Sequence, residues 1–320
     1  MSLRIIAVEE HAFPRDLAAA AGVDLGPRAA RVADALDDLG EGRLAIMDEA
    51  GIDVQVLSGG LGGVLQGLEA HRAVECCRAL NDRLAAAVTA HPNRFRALAT
   101  LPMCSPEDAA QELRRSVEEL GHVGAMIHGQ THGVFLDDPS VRPVLAEAER
   151  LDVPIYLHPA PPPPAVREAY FSGLSPAIAL GLATAGWGWH AECGMHVLRM
   201  VVAGVFQRFP GLQVIVGHMG ENLPFSLVRS DEMMRQALDA GSDGVAQTVL
   251  RHVHISTCGY HTEPPLRCAL SVFGPERIMF SVDHPFGDSR SAADFLRDVP
   301  LEREVREDIA HRNAERLLRL

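Results

Sequence analysis

Short apolar runs alternate with longer amphipathic stretches along the chain. The runs Arg4–Glu9, Asp53–Ser58, Phe95–Leu101, Val123–His128, Pro154–His158, Gln213–Gly217, Val253–Ser256 and Ile278–Val282 are rich in Val, Ile and Leu and too short for helices, so they predict strands. Between them the apolar spacing widens to three and four residues, which predicts helices over Ala70–Ala90, Pro106–Leu120, Ser140–Leu151, Gly194–Arg208 and Pro264–Phe273. Stop signals sit where they should: a Gly-Ile step precedes Asp53, and Pro210-Gly211 ends the helical pattern before Gln213. Near-continuous apolar strands separated by helices indicate a parallel sheet covered on both faces. Eight such repeats predict an α/β TIM (β/α)8 barrel, with residues 1–320 forming one domain. The competing architecture is an open doubly wound sheet, but no G-x-G-x-x-G follows the first run to support it.

Two stretches break the rhythm. "HPAPPPPAVREAY" (His158 to Tyr170) carries four consecutive prolines, which impose polyproline geometry on its start. "GWGWHAECGMH" (Gly186 to His196) holds both tryptophans of the chain. Together they predict a long insertion after the fifth strand that forms a pocket wall, a lid or a subunit contact.

Charge and composition narrow the field. The chain is 47% hydrophobic with a net charge of −13, and its acids are spread along its length, which disfavours nucleic acids and anionic membranes as partners. No run reaches the roughly 18 uninterrupted apolar residues of a membrane span, and the first residues lack a signal-peptide layout. Six cysteines without C-x-x-C spacing fit unpaired thiols and a cytoplasmic location. There is no lysine, so all 29 basic residues counted as Lys+Arg are arginines. Schiff-base chemistry, lysine-anchored pyridoxal phosphate, P-loop phosphate binding and carbamylated-lysine metal bridges are all excluded.

The titratable residues gather at strand ends. Glu9 and His11 close the first strand, two residues apart and so on one face, where both could grip one ion. His158 closes the fifth, His218 follows the sixth with Glu221 three residues on, and Asp283 follows the eighth. In a barrel these ends converge on one mouth, and a His, Glu and Asp set there makes a mononuclear divalent-metal site. Glu10 is expected to point away from Glu9, solvated or salt-bridged. His122, His128, His132, His252, His254 and His261 read as ordinary barrel histidines. Phe286, Trp187 and Trp189 are candidates for an aromatic pocket wall. Arg229, two to three helical turns past His218, could pair with substrate or with a neighbouring subunit, or form a surface ion pair.

"EEH", "MDEAGIDVQVLS" (Met47 to Ser58), "GVFLDDPSVRPVLAEAERLDVPIYLHP" (Gly133 to Pro159), "GVFQRFPGLQVIVGHMGENLP" (Gly204 to Pro224), "FSVDHPF" and the terminal "NAERLL" (Asn313 to Leu318) resemble the amidohydrolase superfamily. The similarity covers nearly the whole chain and is to the branch of metal-dependent aromatic acid decarboxylases of the γ-resorcylate and 2,3-dihydroxybenzoate type. The resemblance implies that Glu9, His11, His158 and Asp283 are metal ligands, with His218 and Glu221 as catalytic partners beside them. It implies one divalent ion per subunit, Zn²⁺ or Mn²⁺, and a small aromatic carboxylic acid as substrate. Hydrolases of the superfamily usually carry H-x-H after the first strand, often with a carbamylated lysine; this chain has E-x-H and no lysine. A carboxylate in place of an imidazole weakens water activation and favours harder ions. Decarboxylation of an ortho-hydroxybenzoate, with Asp283 as proton donor, is therefore the expectation. The alternative is a metal-dependent hydrolase or hydratase of a lactone or ring-opened carboxylic acid. His284 stands where many relatives place an aromatic residue, and His128 and His132 add histidines near the mouth. The long insertion suggests a homodimer or homotetramer.

Overall fold

A computed structural model of the protein describes residues 3–22, 29–60, 62–238 and 243–320. Its strands are β1 (Ile6–Ala12), β2 (Val54–Gly59), β3 (Phe95–Ala97), β4 (Ala99–Thr100), β5 (Ala125–His128), β6 (Ile155–His158), β7 (Val214–Val216), β8 (Val253–Ser256) and β9 (Ile278–Met279). All neighbours pair in parallel, in the order β1-β2-β3 and β4-β5-β6-β7-β8-β9. β3 and β4 are two halves of one stave interrupted at Leu98, whose amide donates to Leu57 O at 2.8 Å. The ends meet: Val8 N donates to Phe280 O at 3.0 Å, Asp283 N to Glu9 O at 3.1 Å and His11 N to His284 O at 2.7 Å. These bonds close the sheet into the expected eight-staved barrel.

The two-residue period of the strands sorts their side chains into two cores. Ile6, Val8, Val54, Val56, Leu98, Met126, Tyr156, Ile215 and Met279 fill the barrel interior, plugged below by Ala314 and Leu318. The alternate residues, such as Ile5, Ala7, Leu57, Ile127, Leu157, Val216 and Ile255, pack outward against the helices. In β1 the register shifts between Ala7 and Glu10, a bulge that changes which residues face inward. Ile6 and Val8 point in before it, and Glu9 and His11 point in after it.

Three expectations need correction. The helix expected at Gly194–Arg208 is two helices, Gly188–Val202 and Val205–Arg208, parted where Gly204 adopts φ 76°. The "GWGWH" segment is consequently the start of a helix rather than a loop. The insertion itself carries helices Pro164–Phe171 and Pro176–Ala183, joined by short turns, and its proline-rich start before Pro164 is non-helical. Glu10 points away from Glu9 as expected but is neither solvated nor in a surface ion pair: it is fully buried between barrel and helices. Among the described residues no helix is long and apolar enough to cross a membrane.

Candidate metal centre and its cavity

Glu9, His11, His158, His218 and Asp283 converge at the C-terminal mouth, all buried. Each ligand-type side chain is anchored through one atom and presents another. Oε2 of Glu9 accepts hydrogen bonds from the Tyr156 hydroxyl and from Cys258 Sγ, the latter at 2.6 Å. Oε1 of Glu9 is buried without a hydrogen-bond partner among the described residues, 3.5 Å from His158 Nε2 and 3.9 Å from His11 Nε2. His11 uses Nδ1 on Ser58 Oγ at 2.9 Å, and His158 uses Nδ1 on Pro159 O at 2.8 Å, which leaves both Nε2 atoms facing the same point. Asp283 Oδ1 lies 3.1 Å from His11 Nε2.

An orphaned buried carboxylate oxygen beside two free imidazole nitrogens and a second carboxylate is the donor set of a hard-to-borderline divalent cation. Burial raises the Glu9 carboxyl, and with His128, His11 and His218 nearby it holds His158 well below the ordinary histidine range. His158 is therefore a neutral ligand, and a cation at Oε1 would offset the cost of burying Glu9. Two other groupings fit an ion less well. Cys258 faces the Glu9 oxygen that already has donors, and burial pushes its thiol up to about 12, so it stays protonated. In the His190, His218 and Glu221 grouping both carboxylate oxygens are taken by imidazoles.

That grouping is a relay. His218 Nδ1 pairs with Glu221 Oε1 at 2.7 Å, and Glu221 Oε2 pairs with His190 Nδ1 at 2.6 Å. His190 Nε2 donates to Ala185 O at 3.0 Å. Burial acts to lower His218, but Cys258, Glu221 and Glu9 outweigh it and hold the imidazole well above its ordinary range. For Glu221 burial acts upward, and His218 together with the His190 hydrogen bond carries it below its usual value. His218 Nε2 is left 3.9 Å from Asp283 Oδ2.

The mouth opens into a cavity of about 780 Å³ lined on one side by Pro159–Pro164 and Arg167 of the insertion. Trp189 and Phe286 line it as expected, with Phe286 edge-on to His11 at 5.9 Å between ring centroids. Trp187 does not join them; it is largely exposed. The glycine-rich loop after β2 is close-packed: a Cβ at Gly60 would come within 2.6 Å of His11 Cβ. Leu61 of that loop lies outside the described residues. Gly217 likewise could not carry a side chain, because its Cβ would lie 2.8 Å from Glu9 Oε2.

Arg229 does not reach this cavity in the protomer. Its side chain is 71% exposed and pairs with Glu232 at 3.4 Å, because the buried face of helix Leu223–Met234 runs through Leu223, Leu227 and Asp231. His128 and His132, read as ordinary barrel histidines, line the cavity. The His128 ring lies 4.5 Å from that of His158, tilted by 45°, and burial lowers it to about 3, so it is neutral with Nε2 unpartnered among the described residues. Sequence reasoning also missed Tyr156, Cys258 and His190. Tyr156 was signalled by parity, two residues before His158 on one strand face.

Residues 10–320 match the amidohydrolase family. Decarboxylase orsB of Emericella nidulans is 40% identical over 90% of this chain and 88% of its own length. The γ-resorcylate decarboxylase of Rhodococcus jostii is 35% identical over 98% of both chains. The crystal structure of a dihydroxybenzoic acid decarboxylase from Polaromonas sp. JS666, with bound manganese and the inhibitor 2-nitroresorcinol, superposes with a TM-score of 0.88 at 33% identity, covering 100% of this chain and 98% of that one.

Proposed function

From a chain that belongs to the amidohydrolase family and a mouth built around one unpartnered carboxylate oxygen, we infer a metal-dependent, non-oxidative carboxy-lyase acting on a hydroxylated aromatic acid. The observation that carries the reading is the set Glu9 Oε1, His11 Nε2 and His158 Nε2, three donor atoms turned toward one point, with Asp283 Oδ1 3.1 Å from His11 Nε2 beside them. These residues would hold Mn²⁺ or Zn²⁺. When bound, such a cation supplies the charge that steadies a phenolate and a carboxylate oxygen on the substrate.

The chain's own groups account for the remaining chemistry. Phe286, Trp189 and the proline wall exclude water and hold an aromatic ring. Arg167, exposed at the cavity lining, supplies a counter-charge for an entering carboxylate in a chain of net charge −13. Gln66, His128 and Gln130 would meet polar ring substituents. The bond between the ring carbon and the carboxylate breaks, its electron pair stays on the ring, and CO2 leaves. Asp283 delivers a proton to that carbon, and His218 Nε2 restores it through the Glu221 pairing. The kinship with decarboxylases favours this reading over the hydrolase or hydratase, which the E-x-H motif already made less suitable.

Two further parts of the reading concern the assembly. Helices Pro176–Ala183 and Leu223–Met234 expose Ile178, Leu180, Phe225, Val228 and Met233, an apolar surface that supports a homodimer or homotetramer. Six cysteines, none in a disulfide, support a reducing cytoplasm. The test is to incubate Mn²⁺-loaded protein with ortho-hydroxybenzoates in D2O and follow ring protons by NMR. Loss of the carboxylate with deuterium at that ring carbon is the expected result. Turnover without CO2 release would overturn the lyase in favour of the hydrolytic alternative.

A further inference from the structure

The outward-facing member of the Glu9-Glu10 pair has no part in the chemistry above, yet it is fully buried. Glu10 Oε1 accepts from Val282 N at 2.8 Å, and Oε2 accepts from His284 N at 3.2 Å. These amides flank Asp283, a non-glycine residue at φ 71°. The amide between them, Asp283 N, donates to Glu9 O at 3.1 Å. Three consecutive amides of the Asp283 turn are thus bound by residues 9 and 10 of β1.

The device extends outward. Gln55 Nε2 donates to Glu10 Oε2 at 3.4 Å, and Arg43 Nη1 donates to Gln55 Oε1 at 3.3 Å. The buried Arg43 also donates through Nη2 to His11 O at 2.6 Å and to Ala35 O at 3.1 Å, and through Nε to Asp38 O at 2.8 Å. A guanidinium, an amide and a carboxyl group in the layer between barrel and helix Glu41–Ala50 therefore hold backbone beside His11 and Asp283. Burying a guanidinium, an amide and a carboxyl group where Leu or Met would pack is costly in itself. A left-handed conformation at a residue with a Cβ persists only when its surroundings over-determine it. Both costs are accounted for if the turn must present Asp283 in one orientation.

We propose that Glu10, braced by Gln55 and Arg43, is a positioning residue that holds the Asp283 turn in its left-handed conformation and so sets the geometry of the ion site. The inference rests on the reading of Asp283 as a metal-facing side chain. Glu10→Gln tests it, since an amide can accept one of the two flanking N–H groups but opposes the other with its own donor. The expected result has two parts. Amide exchange across Phe280–Pro285 accelerates about tenfold with little change elsewhere, and Mn²⁺ affinity by calorimetry falls tenfold or more.

Glu112→Gln is the control, because Glu112 is a buried carboxylate of helix Pro106–Glu118, bound to Arg115 at 2.8 Å and to Asn81 at 2.7 Å, with no hydrogen bond to Glu9, His11, His158 or Asp283. It should lower the melting temperature without moving Mn²⁺ affinity. Should Glu10→Gln fail to fold, Gln55→Met removes the brace and leaves the carboxylate; a two- to fivefold loss of Mn²⁺ affinity is expected. Unchanged exchange and unchanged affinity in a folded Glu10→Gln protein would overturn the proposal. A wild type that binds Mn²⁺ but turns over no hydroxybenzoate would overturn the lyase reading alone, and exchange at Phe280–Pro285 reads the positioning role with no ion present.

Discussion

The hydroxyl of Tyr156 offers the most direct test of how this site is tuned. Tyr156 is fully buried and donates to Glu9 Oε2, while its oxygen lies 2.7 Å from Ser256 Oγ. Burial, then the field of Glu9, pushes the phenol well above its ordinary range, so it remains a donor. Tyr156→Phe keeps the ring in the barrel core and removes one hydrogen bond to a carboxylate, a change of about 1.5–3 kcal/mol. Oε2 retains Cys258 Sγ at 2.6 Å and Ser256 Oγ at 3.4 Å, which places the effect at the lower end of that range. The donor favours the ionised carboxylate, so its loss moves the Glu9 pKa upward, adding to the rise that burial already causes. An incoming ion must then displace a proton, and about 1.5 kcal/mol corresponds to a roughly tenfold loss of affinity. The loss should shrink as pH rises, because alkali removes the proton without the ion's help. Calorimetric titration with Mn²⁺ at three pH values between 6 and 8 measures both features. Affinity within twofold of wild type at all three, in a folded protein, would refute the account of Glu9 as a carboxylate split between protein and ion.

Other perturbations follow from the same geometry. Asp283→Asn should lower turnover by about 10²–10⁴-fold, the usual worth of a positioned proton donor, while leaving Mn²⁺ binding measurable; rapid-quench assays at saturating ion check it. Glu221→Gln takes away one of the charges that raise His218, so the alkaline limb of the kcat–pH profile should move to lower pH. His122, His196 and His254 are held near 4, 3 and 3 by burial. They stay neutral in the fold while the unfolded chain takes up protons below about 6.5. Stability that is complete above that pH is therefore lost as pH falls toward 4, by about 1.4 kcal/mol per pH unit for each histidine. Thermal melts between pH 7 and 4.5 should show this slope, and His254→Gln should reduce it by one proton's share.

The staves and the gathering of Glu9, His11, His158 and Asp283 at one mouth were legible because a parallel barrel writes them plainly. Strands buried on both faces read as unbroken apolar runs, and a His, Glu or Asp on the inward face at the end of such a run meets the mouth. For Arg229 the three alternatives are sorted by helical phase: Leu223, Leu227 and Asp231 mark the buried face, and a residue two positions past Leu227 lies on the other side, where Arg229 forms the surface ion pair with Glu232. His190 was hidden by its setting, since Gly186, Gly188 and two tryptophans read as loop although the helix begins at Gly188. The donors to Glu9 come from β6 and from the end of β8, and no local pattern in β1 announces them.

The bulge in β1 is the feature that sequence periodicity could not supply, and it decides what the two adjacent glutamates do. Strict alternation from Ile6 and Val8 would send Glu10 into the mouth and Glu9 into the helical layer. The register shift between Ala7 and Glu10 reverses this. Glu9 meets Tyr156, Cys258 and the imidazoles of His11 and His158, whereas Glu10 meets the backbone of Val282 and His284. Two chemically identical neighbours thereby hold opposite sides of the barrel wall. One has an oxygen free for an ion, and the other has both oxygens committed to the turn that carries Asp283. Glu9→Gln should weaken ion binding and leave the protection of the Asp283 turn unchanged, whereas Glu10→Gln should weaken both, so amide exchange separates the two roles.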